Sequence, residues 1–240
     1  MFVTDDADIY DMVYRGRGKD FAQEARDTLG LVTARRGSVT SLLDVACGTG
    51  AHLATFLAEV GDVEGLELSN AMIKHARKLL PDSVPLHETD MRSFDLGRKF
   101  DAVVSLFSSV GYLKTEQDLR DALKCMGDHL EPGGVIVIEP WWFPDTYTSG
   151  WVAGDIIREG EYTIGRVSHA VRDGGVSRMQ VHYTVATPEG SRYFLDEHEC
   201  TLFTREQYDN AFAAAGFVDL EFIQGREPAR PVGLFVGTRA

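Results

Sequence analysis

The stretch Leu42-Leu43-Asp44-Val45-Ala46-Cys47-Gly48-Thr49-Gly50 holds the pattern with the most chemistry in it. An apolar run breaks into a turn bearing two glycines, and the small-residue-rich segment Ala51 to Val60 that follows reads as a helix. Without Cβ atoms, such a turn lets a ligand come close to the main chain at the mouth of the helix. A dinucleotide turn would need a third glycine, but counting on from Gly48 and Gly50 that place is held by Leu53. No Lys-Ser or Lys-Thr pair follows, which excludes a phosphate-gripping loop. Glu67 ends the next apolar run, Val63-Glu64-Gly65-Leu66-Glu67. A carboxylate there suits the two hydroxyls of a ribose, which it accepts as paired hydrogen bonds. Adenosine held without pyrophosphate points to S-adenosylmethionine.

These residues need a scaffold, and the rest of the chain supplies one. Phe21, Ala25, Leu29 and Val32 recur at helical spacing and predict a helix over Lys19 to Arg36, before the first strand. Ser69 is the expected N-cap of a helix through Leu79, stopped by Pro81. A third short strand precedes Thr89-Asp90-Met91, and Phe100 to Leu106 is a fourth. Thr115 caps a helix reaching Leu130, and Pro132-Gly133-Gly134 is expected to stop it before a strand over Val135 to Glu139. Strand and helix in alternation call for α/β architecture, a doubly wound and mostly parallel sheet.

From about residue 150 the period changes to two. Met179, Val181, Tyr183 and Val185 alternate with polar residues, and Asp173-Gly174-Gly175 and Pro188-Glu189-Gly190 supply turns, so an inserted antiparallel β segment is expected. Thr204-Arg205-Glu206-Gln207 has capping-box form and opens a helix closed by Gly216. Strands near Val218–Ile223 and Gly233–Gly237 complete the fold. The expected organisation is one domain over 1–240: a cofactor-binding core over 1–148, the antiparallel insertion over 149–203, and a closing helix and strands over 204–240.

The composition is that of a soluble globule, 44% hydrophobic and 25% charged. No apolar run reaches the ~18–20 residues of a membrane span, and the acidic N-terminus lacks a signal-peptide layout. Cys47, Cys125 and Cys200 are scattered, without metal-ligand spacing; reduced thiols in the cytoplasm are expected, with Cys47 a packing residue. A formal net charge of −13 argues against a nucleic-acid partner, while two or three local arginines suffice for a small diphosphate.

In Asp44 to Gly50, Glu67 and Thr89-Asp90-Met91 the chain resembles class I S-adenosylmethionine-dependent methyltransferases. The resemblance implies that Glu67 binds ribose and that Asp90 receives the adenine amino group. A second resemblance runs through nearly the whole chain. Tyr14-Arg15-Gly16-Arg17-Gly18-Lys19-Asp20, Phe107-Ser108-Ser109-Val110-Gly111-Tyr112, Glu139-Pro140-Trp141-Trp142-Phe143-Pro144, Arg166-Val167-Ser168-His169 and Gly233 to Gly237 are similar to the N,N-dimethyltransferases of deoxyaminosugar biosynthesis. That family methylates dTDP-linked 3-amino-3,6-dideoxyhexoses on the way to antibiotic sugars, and includes dimers.

The implied cofactor side comprises Tyr14, Arg17, Ala46, Gly48, Glu67, Leu68, Asp90, Met91 and Leu106. The implied catalytic residues are Tyr112 and Ser108; Phe2, Ser109, Trp142, Arg158, Arg166, His169 and Arg230 are expected to meet the substrate, and no metal is implied. An amine acceptor needs its lone pair aligned behind the S–CH3 bond, so orientation supplies much of the rate. Two departures stand out. Phe2 occupies the place of a family tyrosine, and the last loop, Gly225 to Val232, is longer than the family's, leaving the diphosphate arginine open between Arg226 and Arg230. Also open are a 4-amino sugar nucleotide, another small-molecule amine, and a non-catalytic S-adenosylmethionine-binding role. A NAD(P) reductase is disfavoured by the missing glycine and the lack of a Tyr-x-x-x-Lys pair. Exposed strands in the insertion motivate a homodimer.

Overall fold

The computed structural model describes residues 7–225 and 232–240. Its centre is a seven-stranded sheet built from β1 (Ser41–Val45), β2 (Asp62–Glu67), β3 (Leu86–Glu88), β4 (Phe100–Ser105), β5 (Leu130–Ile138), β10 (Phe217–Gln224) and β11 (Gly233–Arg239). The spatial order is β10-β11-β5-β4-β1-β2-β3. The first five strands run parallel, and β11 and β10 close one edge antiparallel. From β1 the chain winds outward through β2 to β3, then returns to place β4 on the other flank of β1. The loops leaving β1 and β4 therefore part at a topological switch point, where α/β sheets open a ligand crevice.

Every residue of β1 and β4 is buried, as two-sided coverage requires. Helices α2 (Phe21–Arg36), α3 (Ala51–Val60) and α4 (Asn70–Leu79) belong to one side and α5 (Glu116–Asp128) and α6 (Arg205–Ala214) to the other, each with its own apolar cluster. The caps fall where local chemistry puts them. Ser69 accepts from the Met72 N–H, and Thr115 and Thr204 each form a complete capping box. Helix α2 begins at Phe21 rather than Lys19, because the Asp20 carboxylate caps it by accepting from Gln23 N.

Pro132-Gly133-Gly134 does not precede β5 but lies inside it. Phe100 pairs with Leu130 and Ala102 with Val135, so residues 131–134 bulge out of the ladder. Gly133, at φ +74, and the donor-less proline make the bulge tolerable.

The second sheet holds four antiparallel strands in chain order, β6 (Trp151–Glu159), β7 (Tyr162–Asp173), β8 (Val176–Thr187) and β9 (Gly190–Thr201). The turns fall at Gly174-Gly175 and Pro188-Glu189 as the sequence predicts. A helix that the sequence reading did not anticipate, α1 (Ala7–Gly16), lies on its inner face. Ile9 and Val13 pack with Ile157, Ile164, Val181, Tyr183 and Val185. Gly16 permits the close approach: a Cβ there would lie 2.6 Å from an Ile157 methyl. On its other side α1 is tied to the β1–α3 loop, where Thr49 Oγ1 donates to Asp11 Oδ1 at 2.8 Å. This helix thus couples the two sheets.

Candidate active site

Backbone strain marks the crevice. Among the described residues, four non-glycines have positive φ, and three of them are Ala46 (62°) after β1 and Phe107 (59°) and Ser108 (61°) after β4. Left-handed backbone costs roughly 1–2 kcal/mol at each such residue, and it persists where surrounding bonds over-determine it. Those bonds are present at β4: Phe107 N donates to Glu139 Oε2 at 2.8 Å, and Ser108 Oγ donates to the Pro140 carbonyl at 2.9 Å.

On the β1 side, Glu67 is clamped by the loop it faces. Its Oε2 accepts from Gly48 N at 3.0 Å and its Oε1 from Ser69 N at 2.8 Å. Burial raises its carboxyl above the ordinary value while these N–H bonds hold it down. Gly48 has φ +55, and a Cβ built there would project into open space with nothing within 4 Å, a cradle suited to a ligand. Gly50, at φ +78, lets the loop descend onto Ala76 and Leu80. Asp44, behind the loop, is 2% exposed with Oδ2 lacking a hydrogen bond. Burial and the Glu67 charge push its carboxyl up to about 8. The Cys47 thiol is buried and pushed well above its usual range, so it is inert packing. Asp90 lies beyond β3, its carboxylate held low by the Arg92 guanidinium, which also bridges to Asp118 at the start of α5. Leu68 is exposed at the mouth, Met91 half-buried, and Leu106 buried beneath the β4 turn.

Across the crevice, α1 brings an aromatic wall to the strained turn. The Tyr14 ring meets Phe107 edge-on at 4.7 Å and Tyr10 at 4.8 Å. Arg17 caps Tyr14 at 5.8 Å and pairs with Asp155 of β6 at 3.0 Å. After Ser108 the chain makes a 3-10 turn, Ser109–Tyr112. Ser109 Oγ leans on the Leu106 carbonyl at 3.4 Å. With both hydroxyl hydrogens directed to backbone carbonyls, the two serines keep only acceptor lone pairs for a ligand.

Tyr112 is 38% exposed, and its hydroxyl lies 2.8 Å from His198 Nδ1. His198 Nε2 is 3.2 Å from Asp196 Oδ2, and both residues are buried on the inner face of β9. Sequence reasoning missed this pair; its only signal was that positions 196 and 198 share the inward phase of an alternating strand. It also singled out Trp142, which is half-buried against the core, whereas Trp141 abuts the 3-10 turn. A Cβ on Gly111 would lie 2.8 Å from Trp141 Cβ.

The predicted substrate residues divide between two faces of the second sheet. Arg166 is inward and 4% exposed, its Nη1 near Ser168 Oγ (3.1 Å) and Asp155 Oδ2 (3.5 Å). Arg158 and His169 are exposed on the outer face, away from Tyr112 and Tyr14. Phe2, Arg226 and Arg230 lie outside the described residues.

A profile of the methyltransferase domain matches residues 42–134, the span from β1 into β5. The dTDP-3-amino-3,4,6-trideoxy-alpha-D-glucopyranose N,N-dimethyltransferase of Streptomyces venezuelae is 55% identical over 100% of each chain. The dTDP-4-amino-2,3,4,6-tetradeoxy-D-glucose N,N-dimethyltransferase of Saccharopolyspora spinosa is 47% identical over 100% of this chain and 94% of its own. Among solved structures, S-adenosylmethionine-bound CalS10, an amino pentose methyltransferase from Micromonospora echinaspora, superposes with a TM-score of 0.89 at 48% identity, covering 97% of both chains. The matches span the second sheet and α1 as well as the β1–β5 core, and on that footing the chain belongs to the S-adenosylmethionine-dependent sugar N,N-dimethyltransferases.

Proposed function

We propose that this protein N,N-dimethylates the amino group of a dTDP-linked aminodeoxyhexose, a 3-amino-3,6-dideoxyhexose first, in the biosynthesis of an antibiotic sugar. The observation that carries the reading is identity of 55% along the full chain to an enzyme named for a dTDP-3-amino sugar. Bound in the crevice, S-adenosylmethionine supplies an electrophilic methyl group on sulfonium. Ala46 and Gly48 offer backbone to it, Glu67 takes the ribose hydroxyls, and Asp90 takes the adenine amino group between Leu68, Met91 and Leu106. Tyr14 and Arg17 complete that side.

The acceptor lies against the β4 turn, with Ser108 and Ser109 accepting hydrogen bonds from the sugar and Tyr112 meeting the amine. Alignment of the lone pair is the main source of rate. Trp141 joins Trp142 as aromatic wall. Arg230 is assigned to the diphosphate. Arg166 acts from beneath by fixing Asp155 and, through it, Arg17, rather than by meeting phosphate. A relative named for a 4-amino sugar is 47% identical, so regiochemistry is the point to test. We expect kcat/KM on a dTDP-3-amino-3,6-dideoxyhexose to exceed that on its 4-amino isomer. The reverse order would reassign the acceptor.

The protein acts as a homodimer in the cytoplasm on this reading. Val152, Ile156 and Val167 stand on neighbouring strands of the second sheet's outer face and are 68%, 65% and 60% exposed. Such an apolar patch suits a second copy. Val167→Lys is expected to shift the sedimentation coefficient from dimer to monomer at micromolar concentration. A wild-type monomer under those conditions would count against pairing.

A further inference from the structure

Resting on the reading that the sugar amine meets Tyr112, we propose that Tyr112, His198 and Asp196 form a proton relay that strips the bound acceptor of its ammonium proton before methyl transfer. The relay uses the His198 tautomer protonated on the nitrogen nearer Asp196. His198 Nε2 lies 3.2 Å from Asp196 Oδ2; with the proton on that nitrogen, Nδ1 carries the lone pair and the Tyr112 O–H donates to it at 2.8 Å. The phenolic oxygen then keeps an acceptor lone pair for a ligand. Burial pushes the Tyr112 phenol well above its ordinary value, so it passes a proton on rather than holding negative charge.

The transfer balances within the site. The ammonium N–H breaks as a new O–H forms on Tyr112; the original Tyr112 O–H breaks as N–H forms on His198 Nδ1. Products are a neutral amine with its lone pair free and an imidazolium paired with Asp196. An ammonium beside a sulfonium is disfavoured by like charge, and the relay moves that charge onto a histidine that already faces a carboxylate. The arrangement matches the logic of a histidine oriented by a buried aspartate. Other groups facing it are Tyr10 and Tyr14 on α1, Tyr183 on β8, Cys200 on β9 and, beyond Tyr183, Arg166 on β7. Of these only Arg166 is charged near neutrality, the Cys200 thiol being pushed up to about 12.

The test is the pH profile of kcat for wild type, His198→Asn and Tyr112→Phe. Asparagine can accept the Tyr112 hydrogen bond but cannot take the proton. Above the pKa of the aminosugar, the Asn variant is expected within a few-fold of wild type. As pH falls below it, the deficit widens by roughly tenfold per unit, because only free-base acceptor reacts. Tyr112→Phe should show the same widening. A deficit constant with pH, or rescue by Asn at all pH values, would overturn the relay and leave a positioning role. Calorimetric binding of S-adenosylmethionine at wild-type strength checks that each variant is folded. Absence of wild-type turnover on every aminosugar would instead overturn the acceptor reading, and the relay with it.

Discussion

Glu67→Ala is expected to weaken S-adenosylmethionine binding by about 1.5–3 kcal/mol, roughly 10- to 150-fold in Kd. The carboxylate occupies a fixed geometry, one oxygen on Gly48 N and the other on Ser69 N. In the proposed role it would meet the ligand already oriented, with its remaining lone pairs for two ribose hydroxyls. Removing it takes away a charge-assisted pair of contacts and also frees the Gly48 turn whose φ it stabilises. Titration calorimetry measures the change directly, and affinity equal to wild type would take Glu67 out of the cofactor site. Glu67→Gln, which keeps the size but loses charge and one acceptor, should fall between the two.

A larger effect, on stability rather than binding, is expected from Asp44. Its carboxyl titrates near 8 in the folded chain against about 3.9 when unfolded. A raised folded value means that stability is greatest below the unfolded pKa and declines as pH rises, until the folded group ionises too. Between about pH 4 and pH 8 this single group should therefore cost about 1.4 kcal/mol per pH unit. Asp44→Asn removes the titration while keeping the shape. The stability difference between variant and wild type, from urea unfolding at pH 5 and pH 7.5, should swing toward the variant at the higher pH. A difference that does not change with pH would show Asp44 to be ionised in the fold. A neutral Asp44 also leaves Glu67 as the charged acid of the loop, which fits their separate positions, one behind the backbone and one facing outward.

The cofactor half of the molecule was legible in the sequence because it is local. A strand, a glycine turn and a helix occupy consecutive residues, and the next strand ends on the acid that the turn faces. The helix caps were legible for the same reason: Ser69, Thr115 and Thr204 act on N–H groups three residues away. The proposed acceptor side is assembled across long separations. Tyr112 and His198 are 86 residues apart, and strand alternation reveals only that His198 faces inward, not that Tyr112 stands opposite. Arg158 and Arg166 looked equivalent as cations, yet both lie at even positions on different strands whose pairing puts one outward and the other inward. Helix α1 is amphipathic but only ten residues long, and its apolar stripe is satisfied only by a sheet formed more than a hundred residues later. Pro132-Gly133-Gly134 reads locally as a stop, and only the pairing of β4 with β5 turns it into a bulge.

On the proposed reaction, two methyl groups pass from S-adenosylmethionine to one amine of a dTDP-aminodeoxyhexose. Mass spectrometry of a quenched time course with a dTDP-3-amino-3,6-dideoxyhexose tests it most directly. A transient species heavier by one methyl is expected, released between rounds because each bound cofactor serves one transfer, then a final product heavier by two, with two equivalents of S-adenosylhomocysteine. S-adenosylmethionine bound tightly but an acceptor of unchanged mass, across both 3-amino and 4-amino sugars, would contradict it.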